Sequence, residues 1–247
     1  MATILVTGGT GTLGRPAAAR LRAAGHDVRV LSRKSRPGLV TGDLLTGKGI
    51  RQAATGADTV LHLATGRKDV ALSSTLIDAA REVGIAHLVL ISIVGIDQIP
   101  LGYYRGKLEI ERLVTNSKLP HTILRATQFH NLLEMLFRAQ RFSPVVFGPS
   151  FTLQPIAVED IADRLVELVA AGPAGRVPDV GGPQQRTVPE LAEAWKLARR
   201  SRRPIAPVKI PGKTFAAYAA GHALVSGPAY GSGTFEDFLA ERNEVIA

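Results

Sequence analysis

The sequence predicts a doubly wound α/β fold: a parallel sheet with helices on both faces and a small C-terminal cap. Three observations carry this. Short apolar runs alternate with segments of helical periodicity over the first 130 or so residues. The runs are continuous, as strands buried on both faces require. The first of them, Ile4 to Thr7, ends in a cluster of glycines that leads straight into an Ala- and Arg-rich segment.

The glycines fit two spacings at once. Gly9, Gly11 and Gly14 give GxGxxG; Thr7, Gly8, Gly11 and Gly14 give TGxxGxxG. A strand, a glycine turn and a helix are the parts of a Rossmann-type dinucleotide site. Gly9 is expected to permit the turn, Gly11 to admit a pyrophosphate to the backbone, and Gly14 to let the helix pack on the strand. Free N–H groups and the helix dipole then face the phosphates. The expected cofactor contacts here are Gly8, Thr10, Gly11, Thr12, Leu13 and Gly14.

The first helix is predicted over 12–24, with Pro16 in its first turn and Gly25 at its end. The second strand reads His26 to Ser32. A ribose-binding acid belongs just after it, but the loop reads Ser32-Arg33-Lys34-Ser35-Arg36. A carboxylate there would repel a 2′-phosphate; Arg33 and Lys34 offer it charge and donors. The expected cofactor is therefore NADP, as NADPH. Gly38 to Leu44 reads as a short third strand. Asp43 either accepts from an adenine amino group or caps the next turn, and Leu44 lies beside it as a further cofactor contact. A helix is expected over 49–55 and a fourth strand over Asp58 to Ala64. Its end, Ala64-Thr65-Gly66, is placed beside the cofactor. His62, inside the apolar run, is expected to be a hydrogen-bonded core histidine.

A helix over 69–83, a buried strand over Ala86 to Ser92, a loop to Gly102, a helix over 103–116 and a sixth strand over Pro120 to Arg125 complete the alternation. Tyr103 and Lys107 are four residues apart and share a helix face. A phenol can give its proton to a group being reduced by hydride, and a neighbouring ammonium stabilises the phenolate left behind. Tyr103, Lys107 and Ser92 are the candidate catalytic residues, with Lys107 also holding the nicotinamide ribose. Gln128, Phe129 and His130 follow the sixth strand; Thr127 and Phe129 are expected to contact the cofactor, and His130 is a reserve proton donor. Beyond them come a helix over 131–141, extended pieces at 145–148 and 151–156, a helix over 158–171, an edge strand over 176–180, a capped helix start at Thr187 and an extended piece at 204–211.

TGGTGTLG, the Ser-Arg-Lys loop, Gly42-Asp43-Leu44, ISIVG, YYRGK and LRATQF together resemble the short-chain dehydrogenase/reductase superfamily, and most closely its atypical, NmrA-like branch. The resemblance covers roughly the first 160 residues. It implies Gly8, Gly11 and Gly14 at the pyrophosphate, Arg33 at the 2′-phosphate, Asp43 at the adenine, Lys107 at the ribose and Tyr103 as the acid. The serine pair usual in that family reads Ser92-Ile93, its Asn-Ala-Gly reads Ala64-Thr65-Gly66, and its Pro-Gly reads Ala126-Thr127. The branch implies a reductase of a carbonyl, enone or quinone-like group. It also contains members that bind the dinucleotide without turnover and act as redox sensors for a protein partner.

Length and composition set the remaining expectations. The 247 residues suit one domain, with a dinucleotide core over 1–130 and substrate-side elements over 131–247. Phe137, Phe142, Trp195, Phe215 and Tyr218 suggest a small apolar substrate. No run of some twenty apolar residues predicts a membrane span, and a cytoplasmic, monomeric or homodimeric protein is expected. There is no cysteine, so thiol chemistry is excluded; no metal site is expected. The net charge of +9 is spread along the chain, with one dense run at 199–203. Such runs usually end solvated helices, so nucleic acid is not an expected partner.

Overall fold

The computed structural model describes residues 1–66 and 68–244. In chain order its elements begin with β1 (Thr3–Thr7), α1 (Gly14–Ala23), β2 (Asp27–Ser32), β3 (Leu39–Thr41) and α2 (Ile50–Ala54). Next come β4 (Thr59–His62), α3 (Asp69–Glu82), β5 (His87–Ile93), α4 (Gly102–Asn116) and β6 (His121–Ala126). Then follow α5 (His130–Ala139), β7 (Val146–Pro149), β8 (Thr152–Leu153), α6 (Val158–Ala171) and β9 (Gly175–Arg176). The last are β10 (Arg186–Thr187), α7 (Val188–Ala198), β11 (Ile205–Val208), α8 (Lys213–Ala219) and α9 (Phe235–Glu244). They form two compact units that interleave along the chain. The first holds residues 1–92, 102–125 and 161–178; the second holds 93–101, 126–160 and 179–247.

The first unit is built on a seven-stranded parallel sheet in the order β3-β2-β1-β4-β5-β6-β9. This is the Rossmann-type architecture expected from the alternating runs. Ile4, Leu5 and Val6 of β1 and Val60 and Leu61 of β4 are fully buried, because helices cover both faces of the sheet. The chain winds outward from β1 in one direction through β2 and β3, then returns to β4 on the other side. That reversal between β1 and β4 is the position where open α/β sheets bind ligands, at the carboxyl ends of the strands. In register, Thr7 of β1 stands beside His62 of β4.

Several boundaries differ from expectation. The first helix starts at Gly14 rather than Thr12, because the chain first closes a tight turn in which the Gly11 N–H donates to the Gly8 carbonyl at 2.9 Å. The edge strand expected over 176–180 is β9, which pairs Gly175 with Thr122 and Arg176 with Ile123. A buried bidentate pair fixes α4 on the sheet. The Arg125 guanidinium on β6 donates to both Glu111 carboxylate oxygens, at 2.9 and 2.7 Å.

In the second unit β11 pairs β7 in parallel and β10 pairs β8 antiparallel. The helix start predicted at Thr187 is a full capping box. The Thr187 hydroxyl accepts from the Glu190 N–H, and the Glu190 carboxylate accepts from the Thr187 N–H. The Thr187 hydroxyl, which also donates to Glu190 Oε2 at 2.7 Å, and then the Thr187 N–H hold the Glu190 carboxyl below its usual value. Phe137 and Trp195 are buried against one another, so they build core and not an apolar substrate surface; Phe142 is 87% exposed. The arginine run is not a continuous basic face. Arg199 pairs with buried Glu134, and Arg203 stacks on Trp195 and donates to the Gln140 and Ser143 carbonyls. Among the described residues no helix is long and apolar enough to cross a membrane.

Candidate functional site

The glycine turn leaves β1 at the switch point. The residue that requires glycine for the turn is Gly8, not Gly9: its φ is +69°, and a Cβ there would lie 2.6 Å from the Ala64 backbone nitrogen. Gly14 has the close-packing role expected of it. A Cβ there would sit 2.1 Å from the Gly8 carbonyl oxygen. Thr10, Gly11 and Thr12 are exposed, and α1 carries no acid in its first turn. Small, open backbone at the positive end of a helix fits a pyrophosphate. Leu13 is buried in the core, so only its backbone can face a phosphate.

Arg33 and Lys34 are both exposed just past β2, where a phosphate-bearing ribose can meet them. Ser32 shapes this loop: its hydroxyl accepts from the Lys34 N–H at 3.1 Å. Of the two roles open to Asp43, the structure shows the turn cap, with Oδ1 accepting from the Leu45 N–H at 2.9 Å. Leu44 is buried in the apolar cluster with Leu31 and Ile50. Its side chain packs the core and is not a cofactor surface.

The chain brings four polar side chains together at the ends of β4, α3 and α4. Tyr103, in the first turn of α4, is 51% exposed. Its hydroxyl lies 3.3 Å from Thr65 Oγ1. Thr65 donates to Asp69 Oδ2 at 2.8 Å, and Lys107 Nζ lies 3.0 Å from the same oxygen. The Lys107 ammonium is 5.7 Å from the centre of the Tyr103 ring. Tyr104, the other phenol of the pair, has its ring in the core. Asp69, expected only as the first residue of a helix, is the fourth member. Its carboxylate also accepts from the Gly66 N–H, which closes the Ala64-Thr65-Gly66 loop over the start of α3.

Four expected residues stand differently. Ser92 is buried and, among the described residues, its hydroxyl has no hydrogen-bond partner, so it is not bonded to Tyr103. Thr127 is buried, with its hydroxyl donated to the Gln154 carbonyl; this bond anchors the chain after β6 and occupies the group expected at the cofactor. Phe129 caps α5 from an extended conformation and bridges to Ile156. His130 is not an accessible proton donor. It is 1% exposed and lies against Phe235 and Phe238.

His62 is the buried, bonded histidine expected. Ser73 gives its only proton to the Asp69 carbonyl at 2.8 Å, so it accepts from His62 Nε2 at 2.8 Å. His62 Nδ1 therefore accepts the Thr7 hydroxyl at 2.7 Å. The imidazole is neutral: burial, then the Lys107 charge, lowers its pKa from 6.5 to about 4 against a smaller opposing effect of Asp69. Burial also lowers His130 to about 4. The unfolded chain thus binds these protons between pH 6.5 and 4 while the folded chain does not. Stability is fully present above pH 6.5 and falls as pH drops through that window. The expected loss is about 2 kcal/mol per histidine between pH 6.5 and 5. Urea unfolding at both pH values checks it, and the His62→Gln variant should show a correspondingly smaller difference.

A family of NAD(P)H-binding proteins matches residues 8–171. The chain belongs to that NAD(P)H-binding family. A (4-alkanoyl-5-oxo-2,5-dihydrofuran-3-yl)methyl phosphate reductase of Streptomyces griseus is 31% identical over 82% of this chain and 75% of its own. A chloroplastic divinyl chlorophyllide a 8-vinyl-reductase of Oryza sativa subsp. indica is 26% identical over 85% of this chain, which spans 61% of the rice protein's length. The NADPH-dependent quinone oxidoreductase of Escherichia coli in complex with NADPH is similar in fold, with a TM-score of 0.81 at 17% identity over 97% of this chain and 99% of that one. In this NAD(P)H-binding chain the glycine turn, Tyr103 and Lys107 all lie in the first unit.

Proposed function

We propose that the protein is an NADPH-dependent reductase that adds hydride to an electron-poor group of a small apolar molecule, with Tyr103 giving the proton. The observation that supports it most is the Tyr103–Thr65–Asp69–Lys107 cluster in the unit that carries the glycine turn. Bound at that turn, NADPH supplies the hydride. Gly8, Thr10, Gly11, Thr12 and Gly14, with the Leu13 backbone, hold its pyrophosphate; Arg33 and Lys34 hold its 2′-phosphate. Ala64, Thr65 and Gly66 border it at the end of β4, and Lys107 holds the nicotinamide ribose. Tyr103 transfers its phenolic proton to the reduced substrate, and Lys107 stabilises the phenolate that remains. The names of the rice, Streptomyces and Escherichia coli proteins favour a conjugated C=C or a quinone as the acceptor class. Residues 131–247 are proposed to recognise the substrate.

NADPH oxidation over a panel of quinones, enones and ketones tests the reading: turnover with an enone or quinone supports it, and silence across the panel overturns it. The 2′-phosphate assignment has its own test. Losing charge-assisted bonds in the Arg33→Ala, Lys34→Ala double variant should weaken NADPH binding about 10- to 100-fold. NADH binding, titrated by fluorescence, should stay within about threefold, since NADH lacks the phosphate those cations meet. The second reading, a dinucleotide-binding redox sensor without turnover, is favoured by one observation: Ile93 stands at the second position of the serine pair, and the Ser92 hydroxyl is buried with no partner among the described residues.

A further inference from the structure

Proton donation by a phenol needs a group that orients its hydroxyl. Neither position of the strand-end pair supplies one here, since Ile93 has no hydroxyl and that of Ser92 is buried and, among the described residues, bonded neither to Tyr103 nor to any other group. Another hydroxyl lies within reach from a different strand. Thr65, just past β4, brings Oγ1 to 3.3 Å from the Tyr103 hydroxyl. We propose that Thr65 and Asp69 are positioning residues that take over this task, Thr65 orienting the Tyr103 phenol and Asp69 fixing both Thr65 and Lys107. The inference rests on the reading of Tyr103 as proton donor.

The direction of each bond follows from what the groups can do. An ionised carboxylate only accepts. Asp69 Oδ2 accepts from Thr65 at 2.8 Å and from Lys107 at 3.0 Å, and Oδ1 accepts from the Gly66 N–H. The single Thr65 proton therefore points at Asp69. What Thr65 turns to Tyr103 is a lone pair, so the phenolic O–H is the donor. At 3.3 Å this is a long O–H···O bond, one that a substrate atom can displace. When the Tyr103 O–H bond breaks and its proton joins the substrate, the phenolate oxygen has Thr65 as its neighbour. Rotation about the Thr65 Cβ–Oγ1 bond then turns the threonine proton onto it. Asp69 is itself fixed: its carbonyl accepts from Ser73, and its carboxylate spans the start of α3. Tyr103 is half exposed, so solvent can return the proton.

The test places 3-fluorotyrosine at position 103 of the full chain and reads its fluorine resonance, which reports the phenol's hydrogen bond with or without turnover. Thr65→Val removes the hydroxyl at an exposed position; Thr65→Ser keeps it. The expected result is a displaced resonance in Thr65→Val and Asp69→Asn, with Thr65→Ser at the position of the unsubstituted protein. With a substrate from the panel, kcat should fall about 10- to 100-fold in Thr65→Val, the scale of one lost hydrogen bond, and recover in Thr65→Ser. An unmoved resonance in Thr65→Val, or an unchanged kcat, overturns the proposal. Tyr103→Phe separates it from the parent reading. If that variant is inactive while the Thr65→Val resonance is unmoved, the inference fails and the donor assignment stands. If the resonance moves but Tyr103→Phe turns over normally, the donor assignment fails and with it the catalytic role of Thr65.

Discussion

Tyr103→Phe should lower kcat by about 10²- to 10⁴-fold, the usual contribution of a positioned general acid. The loss should fall on kcat and leave NADPH affinity within about threefold, because the phenolic proton is used only in the transition state. The structure makes the prediction specific to one of two adjacent phenols. Both sit in the first turn of α4, but Tyr103 faces outward beside Thr65 while Tyr104 is packed in the core at 5% exposure. Tyr104→Phe should therefore act on the unfolding midpoint more than on kcat. Steady-state kinetics of the two variants on one substrate, with NADPH titrated separately, checks both statements. Equal losses of kcat would mean that helix packing, and not proton donation, carries the effect.

The second large effect concerns stability. Arg125→Met should cost about 3–5 kcal/mol, because it leaves the Glu111 charge buried and unpaired. Arg125 is 4% exposed and Glu111 7%, and their two hydrogen bonds are well formed. Replacing both partners, Arg125→Met with Glu111→Leu, should recover most of that loss, since the pair's attraction and its desolvation nearly cancel. Urea-unfolding midpoints of the two single variants and the double variant measure the cycle. The pair also bears on the site. Glu111 lies one turn beyond Lys107 on the same face of α4, so the helix is tied to Asp69 at one turn and to β6 at the next.

The sheet was legible because its strands are buried on both faces. Such strands are apolar throughout, and the Ile4–Thr7, Thr59–His62 and His87–Ile93 runs could be read without knowing their partners. The glycine turn was legible for a similar reason, since a backbone that must bend and pack closely leaves few residue choices. Which glycine takes the positive φ was not, because Gly8 and Gly9 are neighbours and only the backbone path decides between them. That Tyr103 and Lys107 share a face of α4 was legible from helical spacing. Asp69 was missed because its role depends on the ends of β4 and α4 meeting in space, and nothing local marks it. Neither α8 nor α9 had been expected. For α9 a usable signal existed: Thr234 and Asp237 cap the helix reciprocally, with the Thr234 hydroxyl accepting from the Asp237 N–H at 3.1 Å and Oδ2 of Asp237 accepting from the Thr234 N–H at 3.0 Å.

The row Thr7–His62–Ser73–Asp69 has the outward form of a proton wire, a hydroxyl, an imidazole and a second hydroxyl in sequence. Its last member decides otherwise. A wire works only if its terminal acceptor can take up the incoming proton, and this one ends on the peptide carbonyl of Asp69. Every proton along the row is held in one orientation with nowhere to go. The row is thus an insulator: it ties the end of β1 to α3, whose Asp69 pairs with Lys107, without carrying a proton between them. That row offers no return path for a proton that Tyr103 would give as donor.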